Sequence, residues 1–310
     1  NENAKPPGTW LRWLGELLYP EDIPTLQEFM GYCFLPTTKG QKMLMLISRG
    51  GEGKSRIGLV LRALLGANMA TGSIAKIESS RFARADLEHE LVMLDDDMKL
   101  EALPQTNHIK AIVTAELPMD LERKGQQSYQ GDLYVRFLGF GNGSLKALYD
   151  RSEGFFRRQI ILTTKPKDAN RVDDPFIAEK MCDEAEGIFL WCLEGLRRLI
   201  SNDYRFTLSE RARENMSEAV CDGNNAVDFM KSEGYIRLKA DAEASNRDVY
   251  AVYKLWCEDN AVNPLSQRSL CLYLAENQDT YSIEQTNKIY LPGGRRVRGF
   301  IGIELLQRAG

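Results

Sequence analysis

The sequence predicts an α/β fold set between helical segments, and three observations lead there. Short apolar runs alternate with polar helical stretches from about residue 41 to residue 165. A strand, a glycine-rich loop and a helix follow one another directly between Met43 and Leu65. From Asp174 onward the pattern turns helical, and it closes on two strands around the turn Pro292-Gly293-Gly294.

Taken in order, Trp10, Leu11, Leu14, Leu17 and Leu18 keep helical spacing, and Pro24 to Tyr32 forms a second amphipathic piece. Four apolar runs read as buried strands: Met43 to Ile47, Leu91 to Leu94, Tyr134 to Phe140 and Gln159 to Leu162. Between the second and third lies a polar stretch, Asp120 to Gly131, with Gly125 and Gly131 as turn signals. Phe176 to Ile200 reads as one long amphipathic helix with Pro175 at its start. Ser245-Asn-Arg-Asp248 is a capping box, and Val249, Val252, Tyr253 and Trp256 share one face of the helix that it opens. Ser266 to Ala275 is a further helix. Ile283 to Leu291 and Arg296 to Ile303 pair as a hairpin. No internal repeat is visible.

Composition narrows the function classes. The chain has 310 residues; 44 acidic and 40 basic side chains leave a net charge of −4, an ordinary soluble surface rather than a chromatin-like basic excess. With 43% hydrophobic residues, wholesale disorder is excluded. No run approaches the roughly 20 apolar residues of a membrane helix, and no signal peptide opens the chain, so no export is indicated and a cytoplasmic location is expected. The six cysteines are far apart and only His89 and His108 could assist them, so zinc is not expected and buried free thiols are. A start at Asn1 reads as a piece of a longer protein.

The sharpest motif is Ser48-Arg49-Gly50-Gly51-Glu52-Gly53-Lys54-Ser55, running into Arg56 and the following helix. Three glycines let backbone N–H groups curl around phosphates, and the helix N-terminus adds its positive dipole end. Lys54 would reach the β- and γ-phosphates of ATP and Ser55 would ligand Mg²⁺. Glycine is usual where Ser48 stands; serine is small, so the departure is mild. Glu90 to Asp97 then places carboxylates at the end of an apolar strand. In a parallel sheet that end faces the phosphate loop. Asp95 is assigned to the metal and Asp96 to the attacking water, with Asp97 solvated or capping. Asn142, ending the strand from Tyr134, could touch both the γ-phosphate and the water; in isolation it is also a plain turn residue. Arg157 and Arg158 precede a strand and could bind a surface carboxylate or reach a neighbouring subunit's triphosphate, Arg158 being the better aimed.

These motifs occur in the order Walker A, Walker B, B-prime (Ile109 to Gly131), Walker C (Phe140-Gly-Asn142) and arginine finger (Phe155-Phe-Arg-Arg158). The chain thereby resembles the superfamily 3 helicases, an AAA+ branch, and within it the helicase part of phage and plasmid primase-helicases related to the poxvirus primase-helicase. The resemblance implies an AAA+ P-loop ATPase core with N-terminal helices, a helical lid and a C-terminal winged-helix domain, divided at 1–40, 41–205 and 206–310. It implies an ATP-dependent DNA helicase or translocase in phage, plasmid or mobile-element replication, working as a hexameric ring on single-stranded or forked DNA, with a primase as attached domain or partner. Asp96 stands where many relatives carry Glu. An ATP-driven initiator or loader that separates no strands is the rival reading, and a small-molecule kinase a remoter one. By the same resemblance Arg123 and Lys124 are the channel-facing cations, the bland alternative being a solvated loop. Lys288, Arg295, Arg296 and Arg298 suit a wing against DNA phosphates, or a plain basic hairpin.

Overall fold

The computed structural model describes residues 2–98, 106–143, 153–168, 171–223, 225–260, 262, 264–290 and 296–307. The chain forms two compact units, Asn1–Gly223 and Asn224–Gly310.

The first unit holds β1 (Met43–Ser48), β2 (Met69–Thr71), β3 (Val92–Met98), β4 (Met119–Leu121), β5 (Tyr129–Gly131), β6 (Arg136–Asn142) and β7 (Gln159–Thr163). Five of these make a parallel sheet in the order β2-β3-β6-β1-β7. The four predicted strands are all in it, and their unbroken apolar runs follow from burial of both faces. On one face Leu44, Leu46, Leu94, Leu138 and Phe140 meet Ile57, Val60 and Leu61 of the helix Ser55–Leu65. On the other, Met43, Met45, Met93 and Phe137 meet Ile74, Ile109 and Ile112. Because β6 lies between β1 and β3, Ser48, Asn142 and the acidic end of β3 stand side by side at the carboxyl edge. That is the edge at which parallel sheets bind ligands.

Helices cover the first face. Gly8–Leu17 buries Trp10, Trp13, Leu14 and Leu17, as their spacing predicts, and the Trp10 ring meets Trp191 edge-on at 5.7 Å. The helices Ile23–Tyr32 and Ala185–Ser201 cross so closely that glycine is required on both sides. A Cβ on Gly31 would stand 2.3 Å from the Cys192 carbonyl oxygen, and one on Gly195 would stand 2.6 Å from that of Gln27. The buried Glu28 carboxylate accepts from Arg198 Nε at 2.5 Å and from the Thr207 amide and hydroxyl at 2.7 Å. At the amino end of β6, the buried Arg136 guanidinium donates to the Leu35, Thr37 and Tyr134 carbonyls and lies 4.3 Å over the Tyr32 ring.

Two expectations change. The segment from Phe176 to Ile200 is two helices, Ile177–Cys182 and Ala185–Ser201. Between them Glu184 accepts from the Thr9 and Trp10 amides at 2.9 and 3.0 Å, satisfying the first turn of Gly8–Leu17. The expected boundary at 205/206 falls at 223/224 instead, and residues 1–40 are part of the first unit. Helix Glu210–Gly223 stays with the sheet because Ala212 is buried in its core and Asn215 donates to the Ile161 carbonyl at 3.1 Å.

The second unit has β8 (Ile236–Ser245), β9 (Glu284–Tyr290) and β10 (Arg296–Leu305), antiparallel in the order β8-β10-β9. Val249, Val252, Tyr253 and Trp256 of the helix Asn246–Asp259 bury the predicted face against Phe229 and Phe300. Ser245 Oγ accepts from the Asp248 amide at 3.1 Å, the predicted cap. Among the described residues no helix is long and apolar enough to cross a membrane. Cys33, Cys182, Cys192, Cys257 and Cys271 are free thiols, and burial pushes Cys33 up to about 12.

Candidate functional site

The loop after β1 takes the shape its glycines permit. Gly50, Gly51 and Gly53 have φ of 110°, 84° and 106°, left-handed backbone that a side chain would resist. Lys54 is buried where the helix Ser55–Leu65 begins, and its Nζ donates to Asn142 Oδ1 at 2.8 Å and to Ser48 Oγ. Ser48, the residue that departs from the usual loop, is thus a working partner of the lysine. Burial lowers the Lys54 pKa, and the negative charges of Glu52, Asp96 and Asp97 oppose that shift. Ser55 is half-buried at the first helical position. Arg56 lines a cleft of about 450 Å³ with Gly51, Gly53, Arg12, Trp13 and Arg171. Arg49 is exposed.

Glu52 is only 3% exposed although Arg49, Gly50 and Gly51 around it are open to solvent. Its carboxylate accepts from the Gly50 amide at 2.8 Å and the Arg49 amide at 3.1 Å. Burial alone would raise its pKa, but hydrogen bonds from its own amide, the Ser48 hydroxyl and the Gly50 and Arg49 amides bring it below the ordinary glutamate value. Arg171 donates through both terminal nitrogens to the Glu52 carbonyl at 3.1 Å and pairs with Asp173 at 3.0 Å. Sequence reasoning gave Arg171 no role. It lies in an irregular segment beyond β7, and only tertiary packing brings it to the loop.

The acidic strand end divides between the two faces of the sheet. Alternation puts Asp95 with Met93 on the face away from the helix Ser55–Leu65. There its Oδ2 accepts from the Ile74 amide at 2.7 Å, and burial raises its pKa against the hydrogen bonds from the Ile74 and Asp97 amides. The β3–β6 register then shifts between Asp95 and Met98, a bulge that leaves Asp96 and Asp97 exposed and within electrostatic reach of Lys54. The structure therefore joins Ser48, Lys54, Asn142, Asp96 and Asp97, and it sets Asp95 apart as a carboxylate that anchors the turn at Ile74.

The arginine pair divides likewise. Arg158 turns back to donate to the Gly154 carbonyl, and its pKa is lowered by burial and by Arg157. Arg157 is exposed. Arg158, expected to be the more rigidly aimed of the two, is the less exposed.

The stretch from Asp120 to Gly131 is a small hairpin, β4 paired antiparallel with β5. Arg123 pairs with Glu88 Oε2 at 2.7 Å and lies 5.7 Å over the Tyr129 ring, while the Tyr129 hydroxyl donates to the same oxygen at 2.6 Å. Lys124 is exposed at the turn. In the second unit Lys288, Arg296 and Arg298 are exposed on the β9–β10 hairpin, Arg296 donating to the Asn287 carbonyl at 2.8 Å and its side-chain oxygen at 3.0 Å. Arg295 lies outside the described residues. No cluster of three or more His, Cys, Asp or Glu able to hold a metal occurs among the described residues. A magnesium ion brought by a nucleotide needs only one or two carboxylates beside the phosphates, and Ser55 with Asp96 and Asp97 fits that donor set.

A family described as one of unknown function, DUF5906, matches residues 46–158, a little over a third of the chain, from β1 to Arg158. No curated protein matches. Among solved structures, the apo structure of the NrS-1 C terminal region (305–718) is similar over 97% of this chain and 78% of that one, at 14% identity and a TM-score of 0.60. The A form apo structure of the NrS-1 C terminal region gives 12% identity and a TM-score of 0.59 over the same shares. At such identities the likeness is one of fold, and it extends over nearly the whole chain.

Proposed function

We propose that the first unit binds and hydrolyses ATP with Mg²⁺ and that the protein uses the turnover to translocate on or unwind DNA during replication of a phage, plasmid or related element. The observation that carries the reading is the contact of Lys54 with both Ser48 and Asn142 at the carboxyl edge of a parallel sheet, beside Asp96 and Asp97. It supports a division of labour. The loop amides and Lys54 hold the phosphates; Ser55 and one of Asp96 or Asp97 hold the metal, which supplies charge neutralisation between the phosphates. The other carboxylate accepts a proton from the attacking water. Asn142 already accepts a hydrogen bond from Lys54, so loss of the terminal phosphate changes its partners and reports turnover to β6.

Arg157, exposed and one residue before Arg158, is the group offered to a neighbouring subunit in a ring. Mixing Lys54→Ala subunits with Arg157→Ala subunits then restores part of the lost activity at mixed interfaces. A dilute, verified monomer with full ATPase activity removes the role of Arg157 in a neighbour's site.

Lys54→Ala abolishes ATP hydrolysis while the melting temperature stays close to the parent's, measured by phosphate release and thermal denaturation. Hydrolysis that survives the substitution overturns the site. A second reading, an initiator or loader without strand separation, draws on the Arg123–Glu88 pair, which occupies one of the two cations expected to grip a strand. A strand-displacement assay on a fork decides between them: displacement requiring ATP supports the motor, and ATP-dependent binding without displacement supports the loader.

A further inference from the structure

The phosphate loop is not an open cradle. An anion sits in it, and that anion is Glu52. Amides gathered by left-handed glycines form a seat for negative charge, and such seats commonly hold phosphate. Here the Gly50 and Arg49 amides point at the Glu52 carboxylate, at 2.8 and 3.1 Å. The side chain is buried to 3% exposure in a loop whose residues Arg49, Gly50 and Gly51 are exposed. The backbone beneath it is fastened independently. Both terminal nitrogens of Arg171 hold the Glu52 carbonyl at 3.1 Å, and Asp173 holds Arg171 at 3.0 Å. Lys54 is also engaged, its ammonium turned to Ser48 and Asn142.

We infer that Glu52 is a built-in competitor for the phosphates: its carboxylate takes the loop amides, and a nucleotide enters only by displacing it. The inference rests on the nucleotide-binding reading and adds regulation of the same site. A carboxylate and a phosphate cannot share one set of amides, because like charges at hydrogen-bonding distance of the same donors repel strongly. Since Arg171 fixes the carbonyl, the displacement is a rotation of the Glu52 side chain about a held backbone. The glycines on either side leave room for it: a Cβ on Gly51 would meet nothing within 4 Å. Exchanged bonds cost affinity. Two charge-assisted amide bonds given up by the loop weaken nucleotide binding by about tenfold or more relative to a loop without the competitor.

The test is calorimetric titration of the full chain with a non-hydrolysable ATP analogue and Mg²⁺, and separately with inorganic pyrophosphate. Glu52→Ala binds both about tenfold more tightly than the parent, and Glu52→Gln, which keeps the size and one acceptor but loses the charge, falls between. The gain is equal for the two ligands because the competition is for phosphate and not for the base. Glu52→Gln also guards against misfolding of the alanine variant, and its thermal melt without nucleotide is compared with the parent's. Equal or weaker binding by both variants, with the parent binding normally, overturns the competitor and makes Glu52 an ordinary part of the cradle. No binding by parent or variants overturns the nucleotide reading itself.

Discussion

The carboxyl edge of the parallel sheet and the two cationic hairpins were expected to do the chemistry and to hold the DNA, and they are built in opposite ways. At the sheet edge the polar groups are interlocked. Lys54, Ser48 and Asn142 are joined by hydrogen bonds, Glu52 accepts from the loop amides, and Lys54, Ser48 and Glu52 are nearly withdrawn from water. On the hairpins the cations stand in solvent: Arg123 meets Glu88 and the Tyr129 ring, Arg296 meets Asn287, and Lys124, Lys288 and Arg298 are exposed. In a buried network the loss of one member is felt by the groups it was bonded to. Exposed charges act separately and their effects add. The sheet edge should therefore give all-or-none variants and the hairpins graded ones.

The largest effect tests the division of the acidic strand end. Asp96→Asn is expected to lower ATP turnover by about 10²-fold or more while nucleotide still binds, as for loss of a general base. Asp95→Asn should leave turnover within a few-fold of the parent and lower the melting temperature, because its carboxylate serves the Ile74 amide. Single-turnover hydrolysis and thermal denaturation read both, and the reverse pattern would return the role to Asp95.

An intermediate effect compares the hairpins. Neutralising Lys288, Arg296 and Arg298 together should weaken DNA binding and make its logarithmic salt dependence shallower by about one unit per lost cation. Neutralising Arg123 and Lys124 should change that slope by only about one unit, because Glu88 already meets the Arg123 charge. Equal slopes per cation in the two hairpins would erase the distinction.

The smallest effect sharpens it. The hydrogen bond from the Tyr129 hydroxyl, more than the Arg123 charge, holds the Glu88 pKa below its ordinary 4.5. A carboxylate with a depressed folded pKa contributes stability that is present above the unfolded value and is lost as pH falls through the folded one. The hairpin tie is thus intact at neutral pH and released only below the ordinary glutamate range. Glu88→Gln should release it at pH 7, steepening the salt dependence of DNA binding toward that of a free Arg123. A titration unchanged by Glu88→Gln would show that the ion pair does not restrain the arginine.

The elements that sequence made legible share a physical trait, and so do those that it hid. β1, β3, β6 and β7 announce themselves because a strand covered on both faces is apolar throughout. β2 is three residues long, too short for any periodicity. β8 runs Ile236-Arg-Leu-Lys-Ala-Asp-Ala-Glu-Ala-Ser245 and does alternate, but three of its five apolar positions are alanines, a weak strand signal, and the cap at Ser245 is the louder one. The break at Glu184 is invisible because its cause, the amides of Thr9 and Trp10, lies at the other end of the chain. The site shows the same split. Lys54, Asn142 and the acidic run were legible as motifs. Which aspartate faces the lysine depends on a bulge, and Arg171 depends on packing, and neither leaves a local trace.

The central position of β6 bears on how this chain can change over evolutionary time. β6 has a partner on each side, fixed at Ser48↔Asn142 toward β1 and at Asp95↔Gly139 toward β3. Its first residue, Arg136, is seated among three carbonyls, and its last, Asn142, meets Lys54. Gaining or losing a single residue between them would turn one of the two onto the wrong face, since side chains alternate along a strand. No edge is free to take up the slip. The length of this segment is therefore held more tightly than its spelling: Leu138 or Phe140 can drift to other apolar residues, but an insertion or deletion there disables both ends at once.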